Sequence, residues 1–395
     1  MADRAVKRVA LLLESDGPGG AETMVLQLAE SLRSRGVDVC PIGPANGCGW
    51  LAGEFRRRGF EPEVFRLRRP IDPRCAHDLA EVLRHRSIDV AHSHEFTMAV
   101  YGAAAARLAG AGHVVTMHGG THATSTRKRR IALRWAFRRS HAVVAVSRGA
   151  ARHLESTLRP ARPVVQVIHN GIRPVRGEGA GVRRELGVRE GEILFLAVGN
   201  LYPVKGYAIL MRALATMRRD HPELAWRLAI AGKATFDGPL DDEGRALREA
   251  AEKGGFSDRV HLLGHRSDVP DLLAASDVFV MPSLSEGLPI ALLEAMFAGR
   301  AIVASAVGGI PEAIRPEVDG VLVPAGEPAA LASSLVRAAT DPSLRSKLGR
   351  SAGQRAVERF HVHTMTAAYL RLYQESLATA RRRFPASSFA RLIMR

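Results

Sequence analysis

Cysteine is scarce in this 395-residue chain: Cys40, Cys48 and Cys75 make an odd count without metal-ligand spacing. That excludes a disulfide framework and reads as free thiols in a reducing compartment. No run approaches the roughly 18 to 20 apolar residues of a membrane span. The N-terminus places Asp3, Arg4, Lys7 and Arg8 before a short apolar run at 9–13, which is not the long core of a cleavable signal, so a cytoplasmic location is expected. There is no GxGxxG followed by a ribose-binding acid and no GKS or GKT, which removes the dinucleotide fingerprint and the P-loop. Lysine is rare too, six residues against 50 arginines.

What is present is an ordinary globular composition, 46% hydrophobic and 24% charged, at a length that supplies two cores of conventional size. The net charge of +16 is uneven. Residues 1–175 hold 27 Lys and Arg against 15 Asp and Glu, whereas residues 176–395 hold 29 against 25. The clusters are Arg56-Arg57-Arg58, Arg66 with Arg68-Arg69, Arg127-Lys128-Arg129-Arg130 and Arg138-Arg139. A basic face of this kind implies interfacial contact with an anionic membrane, or an anionic acceptor. The alternative is a solvated face decorated by an arginine-rich composition. No nucleic-acid-binding motif accompanies the clusters, so nucleic acid is not an expected partner.

Short β-branched or aliphatic runs at 8–13, 37–42, 62–67, 88–92, 113–117, 141–146 and 164–168 alternate with helical patterns such as 21–35 and 78–86. This is the βαβ pattern of a parallel sheet covered on both faces. Residues 170–191, with Gly171, Pro174, Gly177, Gly179, Gly181 and Gly187, break the rhythm and read as a linker. A second set of strands follows at 193–198, 226–231, 260–263, 278–281, 301–305 and 320–323. The fold class expected is α/β, two doubly wound Rossmann-like domains at 1–175 and 176–360 facing across a cleft, with ligands at the carboxyl ends of the strands. Residues 361–395 read as a helix crossing back to the first domain, then a tail with Arg381-Arg382-Arg383, Phe384, Phe389, Leu392 and Ile393.

The chemistry-bearing residues cluster at strand ends. Asp16-Gly17-Pro18-Gly19-Gly20-Ala21-Glu22 is a glycine loop opening a helix, suited to cradling a phosphate with backbone amides; a simple strand-to-helix turn is the competing reading. Gly199-Asn200 leads through Tyr202-Pro203-Val204 to Lys205-Gly206, where a lysine at a helix start is placed for a diphosphate. Met117-His118-Gly119-Gly120 and Val307-Gly308-Gly309 are further glycine turns, and His118 can donate to a sugar hydroxyl or a leaving oxygen. His92 and His94 imitate a metal pair, but no third ligand sits at a recognisable spacing, and Asp241-Asp242 lies in a polar loop; no catalytic metal is expected.

Two carboxylates stand eight residues apart in an apolar stretch: Ser285-Glu286-Gly287-Leu288-Pro289 runs into a helix carrying Glu294. With Glu286 in the loop and Glu294 on the third turn, the rise between them is about 12 Å. That span suits a ligand whose two hydroxyl-bearing ends are joined by a diphosphate. The alternative is a helix with one acid favouring its dipole and one in a buried ion pair.

Together these motifs resemble the retaining glycosyltransferases of family 4, which have the GT-B fold. The resemblance runs over nearly the whole chain, through Gly19-Gly20-Ala21-Glu22, His92-Ser93-His94, His118, Val146-Ser147, Asn170-Gly171, Gly199 to Gly206, Leu263-Gly264-His265, Glu286 to Glu294 and Gly308-Gly309. It implies that the second domain takes the nucleotide sugar and the first the acceptor. It further implies that Glu294 binds the ribose hydroxyls, that Glu286 holds donor-sugar hydroxyls with the amides of Gly287 and Leu288, and that Lys205 neutralises the diphosphate. Gly20, beside Gly19, would approach that diphosphate from the other domain, and His118 would contact the transferring sugar.

Asn200 departs from the family, which usually carries Arg there, a loss of about 1 to 3 kcal/mol if uncompensated. Arg266 is the expected partial replacement. Glu286 and Glu294 are too far apart to flank one bond as a retaining glycosidase pair does. Front-face substitution is therefore expected, with the leaving phosphate taking the acceptor's proton and domain closure about 170–191 expelling water. The donor expected is a UDP- or GDP-sugar, used without a metal. The acceptor expected is a saccharide or lipid-linked molecule of surface-polysaccharide or glycolipid assembly. Rival readings are a nicotinamide dehydrogenase, a sugar-nucleotide epimerase of the same architecture and a non-catalytic nucleotide-sugar-binding protein.

Overall fold

The computed structural model describes residues 5–46, 49–69, 71–119, 123–158, 164–233 and 242–383. Cys48, Gly120, Asp241 and the apolar-basic tail from Phe384 onward lie outside the described residues, as do the side chains of Arg381, Arg382 and Arg383. The chain divides into two units, Met1–Gly171 with Val362–Arg395, and Ile172–His361.

The first unit is a seven-stranded parallel sheet in the order β3-β2-β1-β4-β5-β6-β7. Its strands are β1 Arg8–Leu12, β2 Asp38–Pro44, β3 Glu63–Phe65, β4 Val90–His94, β5 Gly112–Met117, β6 Ala142–Ala145 and β7 Val165–Val167. The central runs are buried on both faces, as strands covered by crossover helices must be. One apolar cluster, with Leu12, Ile42, Phe65, Leu79 and Leu83, packs under helix Pro73–His85. Another, with Val115, Leu133, Phe137 and Leu154, lies under helices Arg127–Phe137 and Arg148–Thr157.

Among the boundaries that differ from expectation, two do so for an evident local reason. Helix Pro73–His85 begins five residues before the expected 78, because Asp72 accepts the Arg74 amide at 3.1 Å and proline at the first position is pre-set for a helix. Strand β4 runs on through His94, since pairing with β5 continues to His94 opposite Thr116. The final helix, Val362–Arg383, belongs to this unit and lies against helix Gly20–Arg33 and strands β4 and β5.

The second unit is a six-stranded parallel sheet ordered β10-β9-β8-β11-β12-β13. Its strands are β8 Ile193–Val198, β9 Trp226–Ala231, β10 Val260–Gly264, β11 Val278–Met281, β12 Ala301–Ser305 and β13 Val321–Val323. Phe195, Leu210, Leu214, Trp226, Phe256 and Leu335 anchor its core. The linker expected at 170–191 is corrected from Ile172 onward. Residues 179–185 form helix Gly179–Glu185, which packs on helix Val269–Ala275, and the Glu178 amide donates to Asp271 at 2.8 Å. Gly177 and Gly179 are needed for contact rather than flexibility, because a Cβ on either would run into the backbone of Pro270 or Ala275.

Candidate functional site

In each sheet the strand order reverses once, between β1 and β4 and between β8 and β11, and ligands of doubly wound sheets bind beyond the carboxyl ends of such strands. In the second unit the loops after β8 and β11 meet there. The Leu284 amide donates to the Val204 carbonyl at 2.8 Å, and Gly206, at φ +71°, leaves no room for a side chain beneath the Pro282 carbonyl. This backbone contact brings Lys205 and Glu286 together: Nζ lies 2.8 Å from Oε1, which also accepts from Ser283 Oγ at 2.7 Å. On the other side Gly308, at φ +56°, abuts the Glu286 carbonyl, and the Gly309 amide donates to Gly287 at 2.6 Å. Leu288 is buried beside them.

Glu294 lies on helix Ile290–Phe297. As that helix's fifth residue it stands on the second turn, not the third, because Glu286 is separated from the helix by three further loop residues. Lys205 likewise ends a short 3-10 turn, Pro203–Lys205, ahead of helix Tyr207–Asp220 rather than opening it. Burial pushes the Glu294 carboxyl up to about 7, and among the described residues no hydrogen-bond donor or cation offsets that cost. A carboxylate held in this way has unused acceptor capacity for a pair of hydroxyls.

Gly199 and Asn200 follow β8. The Gly199 carbonyl accepts from the buried Tyr207 hydroxyl at 2.9 Å, and the Leu201 amide donates to the Lys233 carbonyl at 2.9 Å, so the loop is tied on two sides. Ser283 and Tyr207 were not singled out from the sequence; a serine three residues before Glu286 and a tyrosine just after Lys205-Gly206 are their only signals. Arg266, the expected replacement cation, is not left free in this structure. Its guanidinium is held by Glu185, at 2.6 and 3.1 Å, and by Asp268, at 2.7 and 2.6 Å, which neutralise it.

In the first unit Gly19 caps helix Gly20–Arg33, but its loop is not an open phosphate cradle. The Glu22 side chain folds back over Gly19, bonds to Ser15 and its own amide, and so covers the helix start with a carboxylate. Burial raises the Glu22 pKa. His118, after β5, has Nε2 3.0 Å from His94 Nδ1, and its backbone amide donates to Glu95 at 2.8 Å. Burial holds His118 down to about 4, so at neutral pH it is an uncharged imidazole rather than a general acid.

Glu95 sits at φ +65°, a backbone region that costs a non-glycine residue, and burial pushes its carboxyl up to about 8 against the opposing amides of His118 and Gly119. It would donate as well as accept at neutral pH. His92 is a core residue of a hydrogen-bond network, 2.6 Å from the Tyr373 hydroxyl and 2.7 Å from Thr116 Oγ1. Among the described residues no group of three or more His, Cys, Asp or Glu could hold a metal ion.

Two doubly wound parallel sheets, one with the Lys205–Glu286 pair near its switch point and Glu294 without a partner among the described residues, define an α/β protein of the two-sheet type. The family described as Glycosyltransferase Family 4 matches residues 18–176, and that described as Glycosyl transferases group 1 matches residues 192–341. The chain belongs to the family 4 glycosyltransferases. It is 33% identical to D-inositol 3-phosphate glycosyltransferase of Saccharomonospora viridis over 52% of this chain and 48% of that one. With the same enzyme of Streptomyces avermitilis it shares 33% over 59% and 50%. The chain spans about half the length of these curated relatives. Among solved structures, Anabaena Alr3699/HepE in complex with UDP-glucose superposes with a TM-score of 0.79 at 24% identity, over 94% of this chain and 99% of that one. Sucrose-phosphate synthase from Thermosynechococcus elongatus gives 0.78 at 20%, over 94% and 100%. These two share the GT-B fold with this chain.

Proposed function

We propose that this protein is a retaining glycosyltransferase that moves a sugar from a UDP- or GDP-sugar, without a metal ion, to a lipid-linked or saccharide acceptor. The observation that carries the reading is Glu294, a desolvated carboxylate with no partner among the described residues, on the helix that follows the Lys205–Glu286 pair. A ribose offers two adjacent hydroxyls to such a group. Lys205 then exchanges Glu286 for the diphosphate, and Glu286, freed, accepts from donor-sugar hydroxyls. With both acids assigned to hydroxyls rather than to the anomeric carbon, the leaving phosphate oxygen takes the acceptor proton as the new glycosidic bond forms on the same face. Lys205 and the glycine amides stabilise the charge that develops.

On the acceptor side, the relatives' names give a phosphorylated polyol, which agrees with the positive charge of the first unit. Glu95 and Glu22 supply hydroxyl-binding acids there. Calorimetric titration with UDP and GDP in excess chelator tests the donor site. One nucleotide should bind, and Glu294→Ala should weaken it by about tenfold or more, the loss of a charged hydrogen-bond pair. Undiminished binding by that variant would sink the assignment, and a requirement for added metal would overturn the metal-free mechanism.

A further inference from the structure

A nucleotide sugar brings two negative charges in its diphosphate, and the departing nucleoside diphosphate brings a third, so the charge available at the carboxyl edge of the second sheet decides what can be held there. Among the described residues, the loops after its strands carry three permanent cations: Lys205 after β8, Lys233 after β9 and Arg266 after β10. Lys205 is paired with Glu286, and Arg266 is neutralised by Glu185 and Asp268. Lys233 is exposed and its ammonium has no partner among the described residues. We propose that Lys233 is a diphosphate-binding residue of the donor site, supplying the charge that the neutral Asn200 lacks; this rests on the donor-site reading above.

The backbone fixes where this lysine starts. Strands β8 and β9 pair as far as Val198 opposite Ala231, and the Gly199 amide donates to the Ala231 carbonyl at 2.9 Å. Gly232 then passes so close under Gly199 that a side chain there would collide with the Gly199 carbonyl. Next, the Lys233 carbonyl accepts from the Leu201 amide at 2.9 Å. Lys233 is therefore one strand spacing, about 4.8 Å, from the Asn200 loop. The Lys205 side chain reaches the same loop from the other side, with Cε 3.6 Å from where a Gly199 Cβ would stand. A four-carbon ammonium on each flank of Gly199-Asn200 can close on a diphosphate laid over the two glycines, whose missing side chains let it approach.

The test is calorimetry at low salt with whichever of UDP and GDP binds the wild-type chain, alongside the matching nucleoside. Lys233→Ala should weaken the diphosphate about tenfold, leave the nucleoside unchanged, and lower the salt dependence of diphosphate binding. Adding Asn200→Arg to Lys233→Ala should restore most of the loss. That separation of nucleoside from diphosphate, with rescue by a relocated charge, is one that mere loop damage would not give. Equal diphosphate affinity in Lys233→Ala and wild type, or equal losses for nucleoside and diphosphate, would overturn the proposal while leaving the donor site intact. Failure of the wild type to bind either diphosphate would instead overturn the donor-site reading.

Discussion

At the scale of single residues, the proposed donor site is held by polar groups whose partners are not sequence neighbours. Lys205 and Glu286 are 81 positions apart and meet through backbone contact between two loops. Glu294 differs in having no partner among the described residues, and its raised pKa has two measurable consequences. Nucleotide affinity should rise with pH through about 7 and level off above it, as the carboxylate becomes a full acceptor, and Glu294→Gln should flatten the profile. The sign for stability is the opposite. The folded chain keeps a proton near pH 6 that the unfolded chain has lost, so the contribution of this group to stability falls as pH rises from about 4.5 to 7. In thermal melts Glu294→Gln should therefore be the more stable form at pH 8, with the gap closing toward pH 4. A gap independent of pH would show that the group is not desolvated.

At the scale of elements, glycine carried two meanings that look alike in sequence. The 170–191 stretch, rich in Gly and Pro, has the composition of a linker, yet Gly177 and Gly179 allow it to lie directly on the backbone of residues 270–275. Gly179→Ala should destabilise the chain by about 1 to 3 kcal/mol, the cost of overpacking, seen as a lower urea midpoint. An unchanged midpoint would restore the linker reading. The Gly19 loop had the opposite fate: its composition suggested an open cradle, and the nearby Glu22 fills it. The strands, by contrast, were legible almost residue for residue, because parallel strands covered on both faces are continuous aliphatic runs. β8, β9, β11 and β12 have the bounds that their sequences suggest.

At the scale of the molecule, the uneven charge acquires a definite address. No Asp or Glu occurs from Phe96 to Leu154, and within that stretch helix Arg127–Phe137 exposes Ile131 and Trp135 one turn apart, flanked by the exposed Arg127, Lys128, Arg138 and Arg139. Apolar side chains ringed by cations match the interface of an anionic bilayer. Among the described residues no helix is long and apolar enough to cross a membrane. Flotation with vesicles of about 30% anionic lipid should carry the protein at low salt and release it at high salt, and Trp135→Ser should weaken capture. Indifference to lipid charge would remove the membrane from the acceptor-side proposal.

The sequence alone determined that this is a two-sheet parallel α/β chain and at which strand ends its candidate site residues fall, since aliphatic runs and glycine turns are local signals. Tertiary structure decided which charges remain available. Arg266, Lys205 and Lys233 are all simply basic residues in the sequence; Glu185 and Glu286, each 81 positions from the cation it meets, hold Arg266 (together with the nearby Asp268) and Lys205, while Lys233 has no partner among the described residues. The same holds for Glu22, Glu95 and Glu294, whose protonation is set by desolvation, a property of everything packed around a residue rather than of its neighbours in the chain.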